Sequence, residues 1–538
     1  MDPVALVKRH QQLRTARQSH VEDIWRACFD HTYPARGSQL YLGGSTAGTY
    51  NASLGNASTK QAELMDATGT DSARVLASAL VSALVPSNSR WFELEIDGVD
   101  DEGRQWLEDS AETIWRNIHA SNFDAVVYEA MLDQVCAGMG PLFVDESPDG
   151  GYRFTHWPLS QCFFGASQQG GPVDIVHREL AMTGEQALRE YGDALSDQAK
   201  GKARAKPDDP LQFVWALYPR PLELQAPPFA KGLPYASCHV ELQTRKLVRE
   251  SGYHELPAIV PRWQVLPDSV YAIGPVFECL PDLRTLNELV RLQMMGMDIA
   301  VAGMWIAADD GVLNPRTVKI GPRKIIVAND VNSMRELKSS GNLQASLMEI
   351  ERLQRAIRRA LMADQLTPQD GPAMTATEVH VRVELIRQLL GPLYGRMQSE
   401  FLQPLVARCF GLAYRAGVLA PPPESLRGRT WRLKYISPLS RAQRLVEVQA
   451  MDRYEQSLAA IAAIKPEVLD NYDWDEAARA KGEALGVPQR LLVDVAQRDA
   501  ARTAAQEQAA AAQQAATMQA MSNPDNQAPM ASAAQMMR

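Results

Sequence analysis

The sequence predicts an α+β protein, mainly helical and divided into several packed regions. Apolar residues recur at spacings of three and four over Pro281 to Val301, and a second amphipathic helix runs from about Asn342 to Leu366. Between Gly140 and Trp263, short apolar runs such as Phe213-Val214-Trp215-Ala216-Leu217 are cut by Pro and Gly, the pattern of a β-rich lobe. With 538 residues, the chain exceeds the length at which a single hydrophobic core stops growing.

Composition narrows the function. Hydrophobic residues make up 46% and charged residues 22%, as in an ordinary globular protein. The formal net charge of -9 argues against wrapping DNA on a broad basic surface. It leaves room for local basic stripes. The six cysteines, Cys28, Cys136, Cys162, Cys238, Cys279 and Cys409, form no close pair, so reduced thiols are expected rather than a metal knuckle or disulfide framework. Met1-Asp2-Pro3-Val4 lacks the basic then apolar pattern of a secretory signal. Ala73 to Pro86 and Met294 to Ala308 fall short of the roughly 20 apolar residues of a membrane span and read as buried helix.

In chain order, Val4 to Tyr33 has helical apolar spacing, and Tyr41 to Ser58, rich in Gly, Ser, Thr and Asn, reads as a loop or arm. A helix from Asp71 to Val85 stops at Pro86, and Trp91 to Ile96 alternates like a strand. Met304 to Ser340 holds Asp309-Asp310-Gly311, Asn314-Pro315, Gly321-Pro322 and the β-branched run Ile325-Ile326-Val327. It should form a small strand-and-turn lobe hung between the two amphipathic helices. Thr367 to Pro372 cannot be helical through its prolines, and Thr375-Ala376-Thr377-Glu378 is a capping box that opens a long helix, with kinks expected at Gly391-Pro392 and Pro404. Pro421-Pro422-Pro423 breaks the chain, Trp431 to Ile436 alternates like a strand, and Arg441 to Leu492 is helical with interruptions at Pro466 and Pro488. From Ala500 the chain is rich in Ala and Gln and poor in bulky apolar residues. Disorder is expected there, unless neighbouring copies stabilise a helix.

The second amphipathic helix carries the candidate site. At 100° per residue, Leu343, Ile350, Leu353, Ile357 and Leu361 share one face, and Arg352, Arg355 and Arg359 share the opposite one. One side can pack while the other meets a polyanion. A solvated outer face of a surface helix gives the same pattern.

Signals of catalysis are weak. Neither G-x-x-x-x-G-K-[ST] nor G-x-G-x-x-G occurs; Gly201-Lys202 and Gly321-Pro322-Arg323-Lys324 lack the glycine spacing of a phosphate cradle. No G-x-S-x-G elbow is present, and His254-Glu255 has no second histidine four positions on. Asp100-Asp101, Asp309-Asp310 and the pair Asp473 and Asp475 read as solvated turn acids rather than metal ligands. Neither an enzymatic activity, a metal nor a cofactor is expected.

The order of these features resembles the portal, or head-to-tail connector, proteins of short-tailed double-stranded DNA bacteriophages. Asp71-Ser72-Ala73-Arg74, Leu76-Ala77-Ser78, Leu84, Pro86 and Trp91-Phe92 look like the family's N-terminal helix and following strand. Pro261-Arg262-Trp263, Tyr271, Gly274-Pro275, Leu280-Pro281-Asp282-Leu283 and Leu286-Asn287 look like its approach to the first stem helix. The chain departs from the family at Tyr271-Ala272-Ile273-Gly274-Pro275, where a Tyr-Gly-Arg-Gly-Pro type sequence is expected, so no role of that arginine carries over.

The resemblance implies a ring, usually of twelve copies, at a unique capsid vertex of the virion, built in the host cytoplasm. Its parts would be a mixed α/β wing (1–274), a first stem helix (275–301), a clip (302–342), a second stem helix (343–366) and a tunnel loop (367–374). A kinked helix returning to the wing (375–436), a helical crown (437–500) and the Ala/Gln-rich tail (501–538) would follow. Double-stranded DNA would pass through the channel without sequence readout, with Arg352, Arg355 and Arg359 lining it and Thr367, Pro368, Gln369, Asp370 and Gly371 in the tunnel loop. Lys319, Arg323 and Lys324 in the clip would meet DNA, the terminase large subunit that powers packaging, or the tail adaptor that follows it. Major capsid, scaffolding and internal core proteins would be further partners. The rival classes are a tail or scaffold component without a channel, and a nucleic-acid-processing enzyme.

Overall fold

The computed structural model describes residues 2–37, 58–96, 100–302, 305–307, 334–336, 343–366, 391–426, 432–435, 438–462, 465–485 and 495–522, with residues 487, 491 and 493. The chain is mixed but mainly helical, with several small sheets. It divides into two compact units, residues 1–91 with 113–419, and residues 92–112 with 420–538.

The larger unit contains the β-rich lobe expected after Gly140. Cys162–Gly165, Ile175–Thr183, Pro210–Pro219, Tyr235–Glu241 and Leu247–Tyr253 pair in chain order as an antiparallel five-stranded meander. Side-chain alternation sends Val214, Ala216 and Tyr218 to one face, where they pack with Leu6 and Val7 of the helix Pro3–His20. Leu211 and Phe213 go to the other, against Ala187, Tyr191, Ala199 and Ala203 of the helices Gly184–Tyr191 and Asp197–Ala205. Sequence reasoning missed those two helices, although the first opens on a legible capping box. Thr183 Oγ1 accepts from Gln186 N at 3.3 Å while Gln186 Oε1 accepts from Thr183 N at 3.1 Å.

Val4 to Tyr33 is two helices rather than one, Pro3–His20 and Glu22–Asp30, broken at the buried Val21. The break serves a buried ion pair. Arg17 Nε donates to Glu22 Oε2 at 3.2 Å, and its Nη1 donates to the carbonyls of Leu159, Ser160 and Cys162 at 2.8 to 3.0 Å. A smaller sheet, Tyr152–His156, Leu142–Glu146 and Ala258–Ile259, packs beside the helix Phe123–Ala137, which in turn packs on Thr68–Leu84.

The two amphipathic helices are Leu280–Ala302 and Leu343–Ala360, and they lie side by side. Beyond them Trp305–Ala307 pairs antiparallel with Met334–Glu336, so helix, strand pairing and returning helix follow in the expected order. At its other end the second helix breaks at Met362, whose φ is 57°, before a turn of helix from Ala363 to Leu366. The later helix runs through Gly391–Met397, a π turn Gln398–Leu402, and Gln403–Arg415, so the irregularity expected at Pro404 is a π turn just ahead of it.

In the smaller unit Phe92–Glu95 pairs antiparallel with Arg432–Tyr435, and Pro438–Ala462 packs against Pro466–Asn471 and Trp474–Leu485. Lys481 bridges Asp452 at 2.6 Å and Glu455 at 2.5 Å, and Arg479 reaches Asp101 at 3.1 Å. The Ala/Gln-rich end, expected to be disordered without partners, forms a helix from Val495 to Ser522. High alanine propensity outweighs its lack of a buried face, and Arg502 and Arg498 pair with Asp475 near its start. Among the described residues no helix is long and apolar enough to cross a membrane.

Candidate nucleic-acid interface

The arginine helix Leu343–Ala360 is two-faced. Ile350, Leu353, Ile357 and Leu361 are between 0% and 9% exposed, while Arg352, Arg355 and Arg359 stand on the exposed side. Sequence reasoning missed Arg358, which is also exposed and widens the basic surface. The buried face packs on the helices Thr68–Leu84 and Leu280–Ala302. A strap of residues 63–66 fixes both long helices: Gln354 Nε2 donates to Asp66 Oδ2 at 2.8 Å, Met65 N donates to Asn287 Oδ1 at 2.6 Å, and Asn287 Nδ2 donates to the Glu63 carbonyl at 3.0 Å.

The three arginines are not electrostatically equal. Arg352 makes a two-point contact with Glu349, Nη2 to Oε1 at 2.5 Å and Nε to Oε2 at 2.9 Å, and that hydrogen bond holds the Glu349 carboxyl below its ordinary range. Arg355 Nε donates to its own helix, at the Glu351 carbonyl 3.3 Å away. Glu349 therefore offsets part of the positive field of Arg352.

Of the stripe expected on the first long helix, Leu283 and Leu286 are buried, but Met294 and Met297 are about half exposed at 49% and 52%. Leu292 and Met295 on the same helix, and Leu347 and Met348 on the arginine helix, are likewise exposed. Half-exposed apolar side chains at helical spacing, as at Met294 and Met297, suit cover by another molecule. Lys319, Arg323 and Lys324, and Thr367, Pro368, Gln369, Asp370 and Gly371, lie outside the described residues.

Several ion pairs escaped sequence reasoning because their partners are far apart in the chain. Arg262 donates to Glu400 through Nη2 at 2.6 Å and Nε at 2.9 Å, and to the Gly171 carbonyl at 3.2 Å. Glu255 receives Arg415 at 2.7 Å twice and Arg408 at 3.1 Å. Burial alone would raise the Glu255 carboxyl, but the two guanidinium groups outweigh it and hold it below its ordinary range. Gly138 and Gly274 let two backbones meet, since a Cβ on Gly138 would lie 2.3 Å from the Ile273 carbonyl carbon and one on Gly274 would lie 2.3 Å from the Val135 oxygen. Tyr271 sits under this junction, its hydroxyl accepting from Phe164 N at 3.3 Å.

Among the described residues, no group of three His, Cys, Asp or Glu could hold an ion. All six thiols are buried and free, and burial pushes Cys136, Cys162 and Cys279 up to about 12, where they are protonated at neutral pH. What the structure offers is an exposed arginine face on a paired-helix support.

Residues 4–492 match the family described as bacteriophage head to tail connecting protein. The chain is 27% identical over 511 residues to a probable portal protein of Bordetella phage BPP-1, covering 91% of this chain and 88% of that one. It is 26% identical over 520 residues to the portal protein of Salmonella phage epsilon15, covering 94% and 91% respectively. The chain belongs to the bacteriophage head to tail connecting protein family, and its role is that of a phage portal, an oligomeric connector of capsid and tail.

Proposed function

We propose that copies of this chain close into a ring, twelve in number, whose axial channel carries double-stranded DNA into and out of the capsid. The paired helices, residues 275–301 and 343–366, form the stem, and residues 302–342 form the clip at its tip. Residues 1–274 and 375–436 make the wing, 367–374 the tunnel loop, 437–500 the crown and 501–538 the tail. The chain itself does no chemistry; a terminase docked on the clip supplies the work, and a tail adaptor replaces it after filling. Capsid and scaffolding proteins meet the ring during assembly in the host cytoplasm.

The observation that carries this reading is the two-faced arginine helix beside a second helix whose apolar stripe is left half uncovered at Met294 and Met297. Neighbouring copies in a ring would cover Met294 and Met297, both about half exposed in the single chain. The arginines stay exposed to meet phosphates, which are contacted without reading bases. Negative-stain imaging of the purified full chain tests the reading. Closed rings with a central hole are expected; a monodisperse monomer or an open filament overturns it.

A further inference from the structure

Pro219 and Tyr235 are the last residues to pair across the third and fourth strands of the five-stranded meander. About two residues can close an antiparallel pair of this kind. The chain instead runs through residues 220–234, and ordered connections of that length are usually functional. This one carries Leu222, Leu224 and Phe229, which are 84%, 64% and 75% exposed. A single exposed leucine needs no explanation, but three large apolar side chains within residues 222–229 do.

The loop is held rather than loose. Arg220, itself buried, donates through Nη2 to the Ser251 carbonyl at 3.0 Å and through Nη1 to the carbonyls of Leu233 at 3.4 Å and Ala230 at 3.5 Å. Leu222–Leu224 and Ala230–Gly232 are 3₁₀ turns. Gln225 Nε2 donates to the Arg220 carbonyl at 2.9 Å, and Ala226 N donates to the Gly232 carbonyl at 2.9 Å. A Cβ on Gly232 would lie 2.4 Å from the Ala226 oxygen, so the two limbs of the loop meet backbone to backbone. Pro221, Pro227 and Pro228 restrict φ along the same stretch. A partner therefore meets apolar side chains already in place, and little backbone freedom is lost on contact.

The chemistry of the exposed side selects its occupant. Glu223 and Lys231 cancel, so residues 222–231 carry no net charge. Nucleic acid calls for a basic surface. Uncharged apolar contact is instead the character of permanent interfaces between identical copies. The chain is an oligomeric connector, so another copy stands beside it from assembly onward.

We propose that residues 220–234 form a knob that seats Leu222, Leu224 and Phe229 against the adjacent copy of this chain. Neighbours in a ring meet through two different surfaces, so a projection on one copy faces a receiving surface on the next. The proposal rests on the ring reading given above.

Thiol labelling of the purified full chain tests it, because the six native thiols are buried and give a low background. In assembled rings, Phe229→Cys should label at least about tenfold more slowly than glutathione, and in chain dissociated by dilution it should approach the rate of that free thiol. Leu222→Asp with Phe229→Asp should raise the concentration for half-assembly by at least about a hundredfold, roughly tenfold for each large apolar side chain. Circular dichroism and protection of the native thiols should not change in that variant, while Leu222→Met with Phe229→Met should assemble as the parent does. Should the charged variant lose its fold, the labelling decides alone.

Labelling of Phe229→Cys in rings at the rate of glutathione, or assembly indifferent to the folded aspartate variant, overturns the proposal and leaves the ring reading intact. Protection that appears only in complete heads overturns the choice of a second copy and points to a head protein. A parent chain that forms no ring removes the ring reading, and the proposal with it.

Discussion

His177 is the group whose ionisation should couple most strongly to folding of the sheet lobe. It is fully buried on the strand Ile175–Thr183, both ring nitrogens lack a hydrogen-bond partner, and its ring stacks on that of His10 at 5.8 Å. His10 Nε2 lies 2.9 Å from Glu179 Oε1, which Arg14 also approaches at 3.3 Å. Burial pushes His177 from 6.5 down to about 3, with repulsion from His10 and Arg9 adding to it. A histidine with a depressed folded value binds its proton more readily when unfolded. The stability from keeping it neutral is whole above pH 6.5 and declines as pH falls from there towards 3. At pH 4.5, about two units below the unfolded value, the loss amounts to about 2–3 kcal/mol. Denaturant unfolding of the lobe, followed by near-ultraviolet circular dichroism at pH 7 and pH 4.5, measures it. His177→Leu should be at least as stable as the parent at pH 7 and should lose about 2 kcal/mol less on acidification. Equal acid losses in parent and variant would refute the assignment and point to His239, which burial lowers to about 4.

Leu353→Ala, at a position 1% exposed, should cost about 2–5 kcal/mol and detach the arginine helix from its support, seen as lost protection of residues 343–366 in hydrogen exchange. Gly138→Ala forces a Cβ to 2.3 Å from the Ile273 backbone at a φ of 90°, so the melting temperature should drop sharply, while Gly201→Ala, exposed in the helix Asp197–Ala205 with open space at its Cβ, should cost nothing. Among single arginine changes, Arg359→Gln should weaken DNA retention more than Arg352→Gln, because Glu349 already occupies Arg352; ejection assays at two salt concentrations would show it.

Much of the fold follows from local pattern. The stripe Ile350, Leu353, Ile357 and Leu361 is buried as its spacing requires, and Phe92–Glu95 and Arg432–Tyr435 both alternate visibly, although nothing local says that they pair with each other. What local pattern cannot carry is contact across the chain. Arg17, close before the break at Val21, reaches carbonyls near residue 160, and Glu400 in the π turn pairs with an arginine 138 residues earlier. Met294 and Met297 show a subtler gap. Their helical spacing predicts a buried face, but the single chain leaves them uncovered, because periodicity records that a face is apolar and not whether its cover is the same molecule. The arginine face was legible as a face, whereas the unequal strength of its members depends on Glu349, which lies one turn before Arg352.

We propose that Arg352, Arg355 and Arg359 look onto an axial lumen. A cryo-electron microscopy reconstruction of the assembled ring locates them directly. Guanidinium groups on the inner wall, with Met294 and Met297 covered by adjacent copies, are the expected result. Arginines on the outer wall, or a particle with no central hole, would contradict it.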